Sequence, residues 1–242
     1  MEKYCVIIQA RMSSTRLPGK IMKEVLGKPL LEYQLERLGY CESVDEIVVA
    51  TTNNPADDVI VSFCKENGYR VFRGSEDDVL SRYYCTSIEV EADHIIRITS
   101  DCPLIDPQVV DKVVESYKKN REQFNLVSNT VKRTFPRGLD VSVFSVKTLK
   151  EAFELASKPL DREHVTKYIY ENNYKVLGFE NDQDLSNHRW TVDTYEDFLL
   201  VKNVIESLYP IKNNFDLYDV IKFLNCNKEI YELNVHVEQK RG

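Results

Sequence analysis

Short apolar runs alternate along this chain of 242 residues with longer amphipathic stretches of helical period, and this alternation limits the folds open to it. The first apolar run covers residues 5–9, and the first amphipathic stretch covers residues 29–39, where leucines recur on one helical face. The same pair of patterns recurs through the first half of the chain. Strands that are separated by helices cannot pair through short hairpins, so they pair in parallel. The sequence therefore predicts an α/β fold, with a mostly parallel sheet and helices on both faces.

The periodicity also predicts where the individual elements lie. We expect strands over residues 5–9, 45–51, 70–72, 94–98, 124–130, 139–144 and 187–192, and helices over residues 29–39, 55–67, 76–88, 107–119, 146–156, 162–172 and 194–208. Thr194 and Asp197 have the spacing of a capping box at the start of the last helix. No linker rich in Gly, Ser or Pro divides the chain, which favours a single domain over residues 1–242 with an inserted subregion near 130–180.

Net charge and composition limit the partners and the cellular location that we expect for the protein. The formal net charge of −7 makes nucleic acid an unlikely partner, and the apolar runs are far too short for a membrane span. The N-terminus enters the first strand without a basic leader, so we expect a cytoplasmic protein. The six cysteines are widely spaced and form no C-x-x-C pair, which indicates reduced packing residues rather than zinc ligands or disulfides.

The loop after the first predicted strand, residues 9–20, is rich in groups that bind phosphate. Its cations are Arg11, Arg16 and Lys20, and its hydroxyl side chains are Ser13, Ser14 and Thr15. Such groups hold phosphate oxygens through charge-assisted hydrogen bonds. A solvated basic loop would have the same composition, and both interpretations stay open. The loop lacks the glycine patterns of the P-loop and of the dinucleotide-binding fold.

Two carboxylates follow other predicted strands. Asp101 comes just after the strand over 94–98, and Asp193 ends the strand over 187–192. Ligands of open parallel sheets bind at the carboxyl ends of the strands. Magnesium is held in such places by one or two carboxylates together with substrate phosphates. The alternative for Asp193 is a capping role at the helix that follows it.

Seven short segments, in order, resemble the spore-coat polysaccharide cytidylyltransferases, which are relatives of the CMP-Kdo and CMP-acylneuraminate synthetases. The segments are 9–12 (QARM), 16–20 (RLPGK), 27–30 (GKPL), 45–51 (DEIVVAT), 72–79 (FRGSEDDV), 97–107 (RITSDCPLIDP) and 189–193 (RWTVD). The resemblance runs from about residue 4 to about residue 205 and leaves the C-terminal residues outside. Those residues, 225–242, carry no functional motif.

This resemblance implies a nucleotide-diphospho-sugar transferase (Rossmann-like) fold and transfer of a nucleotidyl group from an NTP, usually CTP, to a sugar, with release of pyrophosphate. It also implies Mg²⁺ and a homodimer formed through the region near 130–180. The implied catalytic residues are Arg11, Lys20, Asp101 and Asp193, of which Asp101 and Asp193 would hold the metal. The implied nucleotide-binding residues are Ala10, Arg11, Ser13, Ser14, Arg16, Lys20, Thr51 and Thr52. Many related enzymes have glycines where this chain has Ala10, Ser13 and Ser14.

Five residues of the second half are the candidates for binding the sugar. They are Arg137, Asp140, Arg162, Glu163 and His164. An arginine fork matches a carboxylate in two hydrogen bonds, so an acidic sugar would suit Arg137 or Arg162. Structural alternatives exist for each arginine: Arg137 precedes a glycine and can form a turn, and Arg162 lies where Asp161 can cap a helix. His164 can equally be a buried structural histidine.

Two other functions remain open at this stage. A glycosyltransferase of the same fold would use a nucleotide sugar, but such enzymes commonly carry Asp-x-Asp after a strand, and Ser100-Asp101-Cys102 offers one carboxylate. A nucleotide-binding protein without transfer activity would keep the basic loop and lack the metal chemistry. The sequence does not identify the sugar.

Overall fold

A computed structural model describes residues 2–239 and contains a seven-stranded sheet together with a small two-stranded one. The strands are β1 Tyr4–Gln9, β2 Glu24–Val25, β3 Lys28–Pro29, β4 Glu46–Thr52, β5 Arg70–Gly74, β6 His94–Thr99, β7 Leu126–Ser128, β8 Ser142–Ser145 and β9 Val176–Gly178. Strands β2 and β3 form the small hairpin, and the other seven lie in the order β5-β4-β1-β6-β8-β7-β9. Residues 1 and 240–242, which include the end of the C-terminal segment without motifs, lie outside the described range.

The sheet is mostly parallel, as predicted. Strands β5, β4, β1 and β6 run parallel to one another, and β9 runs parallel to β7. Only β8 runs against both of its neighbours, β6 and β7. The most central strands are buried on both sides, so they appear in the sequence as continuous apolar runs.

Helices cover both faces of this sheet. They are α1 Leu30–Leu38, α2 Asp58–Glu66, α3 Val79–Glu89, α4 Pro107–Asn120, α5 Val146–Leu155, α6 Pro159–Glu163, α7 Lys167–Glu171, α8 Tyr195–Leu208, α9 Leu217–Cys226 and α10 Lys228–Tyr231. Alternate residues of β1 face opposite cores: Val6 and Ile8 pack with α1, α2 and α4, whereas Cys5 and Ile7 pack with α3 and α5. Among residues 2–239, none of the helices is long and apolar enough to cross a membrane.

A third core joins the C-terminal helices to the rest of the molecule. Helices α8 and α9 pack against Trp190, Phe135 and Leu104, all of which are buried. The capping box predicted at the start of α8 is present, because Thr194 and Asp197 exchange side-chain and backbone hydrogen bonds. The C-terminal segment is therefore an integral part of this core up to α10.

Two predicted elements are wrong. The helix predicted over 162–172 is broken into α6 and α7, because Val165 between them has a positive φ of 27°. The strand predicted over 187–192 is an extended segment with a single bridge, between Arg137 and Arg189. The sequence analysis also missed β9, α9 and the β2–β3 hairpin, which are short or lie beyond the recognised motifs.

Gly138 allows the chain to pack directly on the 187–192 segment. Its φ is +104°, and a Cβ atom at this position would lie 2.7 Å from the amide nitrogen of Thr191 and from the carbonyl carbon of Trp190. These neighbours are backbone atoms, which cannot rotate away. Gly138 is therefore needed both for its backbone conformation and for its lack of a side chain.

We predict that Gly138→Ala lowers the free energy of unfolding by about 2–4 kcal/mol, because it combines backbone strain with overlap. Gly27→Ala is the matched control: Gly27 also has a positive φ, of +78°, but a Cβ there would meet nothing within 4 Å. Strain alone should cost about 1 kcal/mol at Gly27. Urea unfolding measures both values, and equal losses in the two variants would contradict the close packing at Gly138.

Candidate active site

The three segments that carry the predicted site meet at the carboxyl ends of β1 and β6. These strands are adjacent and parallel, with Gln9 opposite Thr99, and the Ser100 amide donates to the Gln9 carbonyl at 3.2 Å. The third segment joins them through the Val192 amide, which donates to the Asp101 carbonyl at 2.8 Å. The basic loop, Asp101 and Asp193 are thereby neighbours, although Asp193 is about 90 residues from Asp101.

Lys20 lies between the two aspartates. Its ammonium nitrogen is 2.9 Å from Asp193 Oδ1 and 3.5 Å from Asp101 Oδ2. Burial lowers the pKa of Lys20, but the two carboxylates outweigh burial and raise its pKa above the usual value. Lys20 is therefore a fixed positive charge that compensates the repulsion between the aspartates.

Asp193 also forms ion pairs with two arginines, and Arg189 donates a hydrogen bond to it. Arg16 Nη2 and Arg189 Nη2 each lie 2.9 Å from Asp193 Oδ2. Burial raises the pKa of Asp193, but Lys20, Arg16 and Arg189 together lower it below its usual value. Asp193 is thus ionised at neutral pH and held on both oxygens.

Arg189 also pairs with a second carboxylate, that of Asp197. Its Nε lies 2.8 Å from Asp197 Oδ1, and its Nη2 lies 3.0 Å from Asp197 Oδ2. Asp197 is completely buried, and it also accepts the backbone amides of Asp193 and Thr194 at 3.0 Å. We use the name charge cluster for the three cations and three carboxylates joined in this way: Arg16, Lys20, Arg189, Asp101, Asp193 and Asp197.

The other carboxylate oxygen of Asp101, Oδ1, accepts a hydrogen bond from the last residue of β6. Thr99 Oγ1 donates to Asp101 Oδ1 at 2.5 Å. The neighbouring Cys102 is buried, and burial raises the pKa of its thiol well above the usual value, with a further contribution from Asp101. Cys102 therefore stays protonated, and Asp101 carries the negative charge at this point.

The basic loop borders a cavity of about 450 Å³, which we call the loop cavity. Among its lining residues are six that the sequence predicted for the nucleotide: Ala10, Arg11, Ser13, Ser14, Arg16 and Lys20. The loop is tied down at two points, since the Met12 amide donates to Asp57 at 2.7 Å and Ser13 Oγ donates to Glu76 at 2.8 Å. The lining is therefore fixed in shape without glycines at positions 10, 13 and 14.

Thr51 and Thr52 lie away from this cavity. Both are completely buried at the end of β4. The Thr52 hydroxyl donates to Asp57, the residue that accepts the Met12 amide. Thr52 thus supports the loop indirectly, and neither threonine lines the cavity in which it was expected.

A second, wider cavity of about 760 Å³ adjoins the first, and we call it the wide cavity. Of the five residues predicted for the sugar, Arg137, Asp140 and His164 line it. Asp140 forms a two-bond pair with Arg133, at 2.6 and 2.8 Å. Glu163 lines the loop cavity instead.

Arg162 lines neither cavity. Its guanidinium group pairs with Asp78 at 2.6 Å and donates to the backbone carbonyls of Phe153 and Ala156. It therefore fastens α6 to the ends of α3 and α5, so the structure does not bring it to the sugar site with the other candidates.

The two cavities share part of their walls. Six residues line both: Gln9, Arg16, Thr99, Asp101, His164 and Asp193. Two of the three aspartates of the charge cluster, Asp101 and Asp193, belong to this shared wall. A ligand in one cavity and a ligand in the other would therefore meet at Asp101 and Asp193.

Several charged residues of the site, and one amide, escaped the sequence analysis. Arg82 lines the loop cavity, and Arg97, Arg133, Lys167 and the amide of Gln239 line the wide cavity. Arg97 gave a usable signal, because it interrupts an otherwise apolar strand. Arg189 was visible within the RWTVD segment, but nothing in the sequence showed that it holds Asp193.

Comparison with known proteins identifies the family. The family model described as cytidylyltransferase matches residues 5–241. The chain belongs to the cytidylyltransferase family. The match confirms the family expected from the sequence segments, and it extends well past residue 205, so the C-terminal residues belong to the family's shared region.

Individual relatives agree with this assignment. The spore coat polysaccharide biosynthesis protein SpsF of Bacillus subtilis is 32% identical, over 95% of this chain and 97% of that protein. The structure of a cytidylyltransferase from Leptospira borgpetersenii is 34% identical, covers 100% of both chains and superposes with a TM-score of 0.91. A CMP:2-keto-3-deoxy-manno-octonic acid synthetase complexed with CTP, 19% identical over 85% of this chain and 99% of that one, has a TM-score of 0.66. This last similarity confirms the nucleotide-diphospho-sugar transferase fold.

The residues present fit a divalent metal, which this family commonly uses. Asp101 and Asp193 supply hard oxygen ligands, and both face the same point, which is marked by the Lys20 ammonium group. Within residues 2–239, no group of three or more His, Cys, Asp and Glu side chains could hold a metal. Two carboxylates are nevertheless sufficient where substrate phosphates complete the shell.

The charge cluster predicts a pH-dependent stability. Asp193→Asn leaves three cations facing two carboxylates, so at pH 7 it should lower the free energy of unfolding by about 1–3 kcal/mol. Asp193 has a lowered pKa in the folded state, so its contribution is present above its unfolded pKa of about 3.9 and is lost as the pH falls through the folded pKa. Urea unfolding should therefore show the difference from the wild type shrinking between pH 4 and pH 2.

The control is Asp182→Asn, which replaces an exposed carboxylate. We expect no such pH-dependent loss of stability in this variant. If Asp193→Asn were as stable as the wild type at pH 7, the cluster would not hold this edge of the sheet together.

Proposed function

We propose that this protein transfers the cytidylyl group of CTP to a sugar hydroxyl and releases pyrophosphate, in the biosynthesis of a surface or spore-coat polysaccharide. The observation that carries the proposal is the wall shared by the two cavities, because it contains Asp101 and Asp193 of the charge cluster. A triphosphate in the loop cavity and a sugar in the wide cavity would meet at that wall. The name of the Bacillus subtilis relative supports the polysaccharide pathway.

The loop cavity suits the triphosphate. Arg11, Arg16 and Lys20 are its cations within the basic loop, and Ser13 and Ser14 add hydroxyl and amide donors. Arg82 extends the positive lining on the α3 side. Cations at these positions neutralise charge that builds up on the departing pyrophosphate, so they favour the transition state over the bound substrate.

The reaction is a displacement at the α-phosphorus. The sugar oxygen forms the new P–O bond, the bond to the β-phosphate oxygen breaks, and the hydroxyl proton passes to solvent or to a carboxylate of the shared wall. Asp101 and Asp193 would hold the magnesium, which when bound neutralises phosphate charge and lowers the pKa of the attacking hydroxyl. Arg16 and Arg189 keep Asp193 ionised and oriented, and Thr99 orients Asp101. Most of the rate enhancement then comes from positioning and charge.

The acceptor that best suits the wide cavity is an acidic sugar. Arg133 is paired with Asp140. Burial lowers the pKa of Arg137, and the positive charges of the neighbouring Arg133 and Arg189 lower that pKa further. A group in that situation gains from a negatively charged ligand. The distant structural relative that is complexed with CTP is named for an acid of this kind. We therefore propose that Arg137 binds the carboxylate of the acceptor.

The proposal is tested by measuring pyrophosphate release from CTP, UTP, ATP and GTP with acidic sugars and their neutral analogues. We expect release with CTP and an acidic sugar, in the presence of Mg²⁺. Asp101→Asn should lower kcat by at least about 100-fold while the melting temperature changes little, since the side chain acts on charge at the shared wall.

Asp182→Asn, at an exposed loop position, is the matched control and should keep wild-type activity. The proposal fails if no pair of NTP and sugar releases pyrophosphate. Transfer of sugar from a nucleotide sugar would instead support a glycosyltransferase, and CTP binding that gives no turnover would support a binding protein.

We further propose a cytoplasmic homodimer, in which each chain forms a single domain and the region near 130–180 provides the dimer contact. That region exposes four large apolar side chains, Val131, Leu155, Leu160 and Tyr170, which a second chain could cover. Sedimentation velocity should show a dimer whose dissociation is favoured by Leu160→Glu, whereas Ile211→Glu, at an exposed position outside the region, should leave it intact. A wild-type monomer would contradict the proposal.

A further inference from the structure

The last described residues of the chain reach back to the active site. A short 3₁₀ turn, Glu232–Asn234, packs against α8 and is followed by a further turn and an irregular segment to Gln239. We call residues 232–239 the C-terminal strap. It contributes Asn234 and Gln239 to contacts with Arg189, the arginine that holds Asp193.

Asn234 holds the buried side of the charge cluster. It is almost completely buried, and its Nδ2 donates to Asp197 Oδ1 at 2.8 Å and to the Arg189 carbonyl at 2.9 Å. Asp197 in turn accepts two hydrogen bonds from the Arg189 guanidinium group. Asn234 therefore fixes both the backbone and the charged partner of Arg189.

Gln239 holds the opposite side of the same guanidinium group. Its Oε1 accepts a hydrogen bond from Arg189 Nη1, while Arg189 Nη2 donates to Asp193 at 2.9 Å. All three guanidinium nitrogens thus have partners, which fixes the plane of the group. Gln239 also lines the wide cavity, where Arg137 is another lining residue.

We infer that the C-terminal strap completes the acceptor side of the active site: Gln239 contacts the acceptor sugar, and Asn234 positions Asp193 through Asp197 and Arg189. The inference rests on the proposed function. An amide side chain both donates and accepts hydrogen bonds, so it suits a sugar hydroxyl or carboxylate. Gln239 lines the wide cavity and not the loop cavity, so the direct contact that we infer is with the acceptor and not with the triphosphate.

The test uses the full chain, CTP and whichever sugar supports pyrophosphate release. We expect Gln239→Ala to raise the KM for the sugar about five- to tenfold, the effect of one lost hydrogen bond, and to change the KM for CTP less than twofold. Gln239→Glu should raise the sugar KM further for an acidic acceptor, because it places a negative charge where the negatively charged acceptor is expected to bind. Glu238→Ala, at the neighbouring exposed strap position, is the control and should change neither KM.

Asn234→Ala provides the second measurement. A positioning role predicts that kcat falls about tenfold at saturating substrates while the sugar KM stays within twofold, in protein that remains folded by circular dichroism. Asn203→Ala, which removes a half-buried amide from the middle of α8, controls for a general loss of stability and should leave kcat unchanged.

The outcomes separate the two proposals. If the wild type is active and Gln239→Ala keeps the wild-type sugar KM, or raises both KM values equally, the inference about the strap is overturned and the proposed function stands. An Asn234→Ala variant that melts at a lower temperature but retains its kcat would likewise reduce Asn234 to a structural role. If the wild type releases no pyrophosphate with any substrate pair, the proposed function fails and this inference fails with it.

Discussion

The arrangement of this site depends on the attraction between Lys20 and two aspartates that come from distant parts of the chain. Asp101 and Asp193 carry like charges and face the same point, so each would raise the other's energy in a partly buried site. The Lys20 ammonium group lies between them and removes that conflict. The backbone bond from Val192 to Asp101 can then hold the two segments side by side. Under the proposed function, the charge that stabilises the unliganded fold would also bind phosphate oxygens, so one lysine would serve both structure and binding.

The remaining charges form successive layers behind this contact. Arg16 and Arg189 hold Asp193, Asp197 holds Arg189, and Asn234 holds Asp197. Exposure falls from Asp193 to Arg189 to Asp197, which is completely buried. A buried ion pair is stable only when its remaining hydrogen-bonding groups are satisfied, and here backbone amides and an asparagine satisfy them. The position of Asp193 is therefore set in part by Asp197 and Asn234, which line neither cavity.

Much of the fold could be predicted because its main signals are local. Central strands such as β1 and β6 appear as apolar runs, and the start of α8 appears as a capping box. The helix expected over 162–172 is interrupted at Val165, whose positive φ the helical periodicity does not reveal. The segment 187–192 forms a single bridge and not a strand, because its sequence does not show whether a neighbouring strand is there to pair with it.

The candidate site residues also differ in whether their signals are local. The basic loop and the two aspartates could be predicted, because charged residues follow directly after predicted strands. The contact of Arg162 with Asp78 and that of Gln239 with Arg189 could not be predicted, because they depend on tertiary structure alone.

The two cavities draw their walls from different parts of the chain. Apart from Glu163, every residue that lines only the loop cavity comes from the first hundred positions, and apart from Arg97, every residue that lines only the wide cavity comes after them. The shared wall is the junction between these halves. Substitutions at positions that line only the wide cavity can therefore change one binding surface while the lining of the loop cavity is kept. Under the proposed function, such a division gives a lineage of proteins a simple route to new products, because acceptor recognition can diversify while the nucleotide chemistry is preserved.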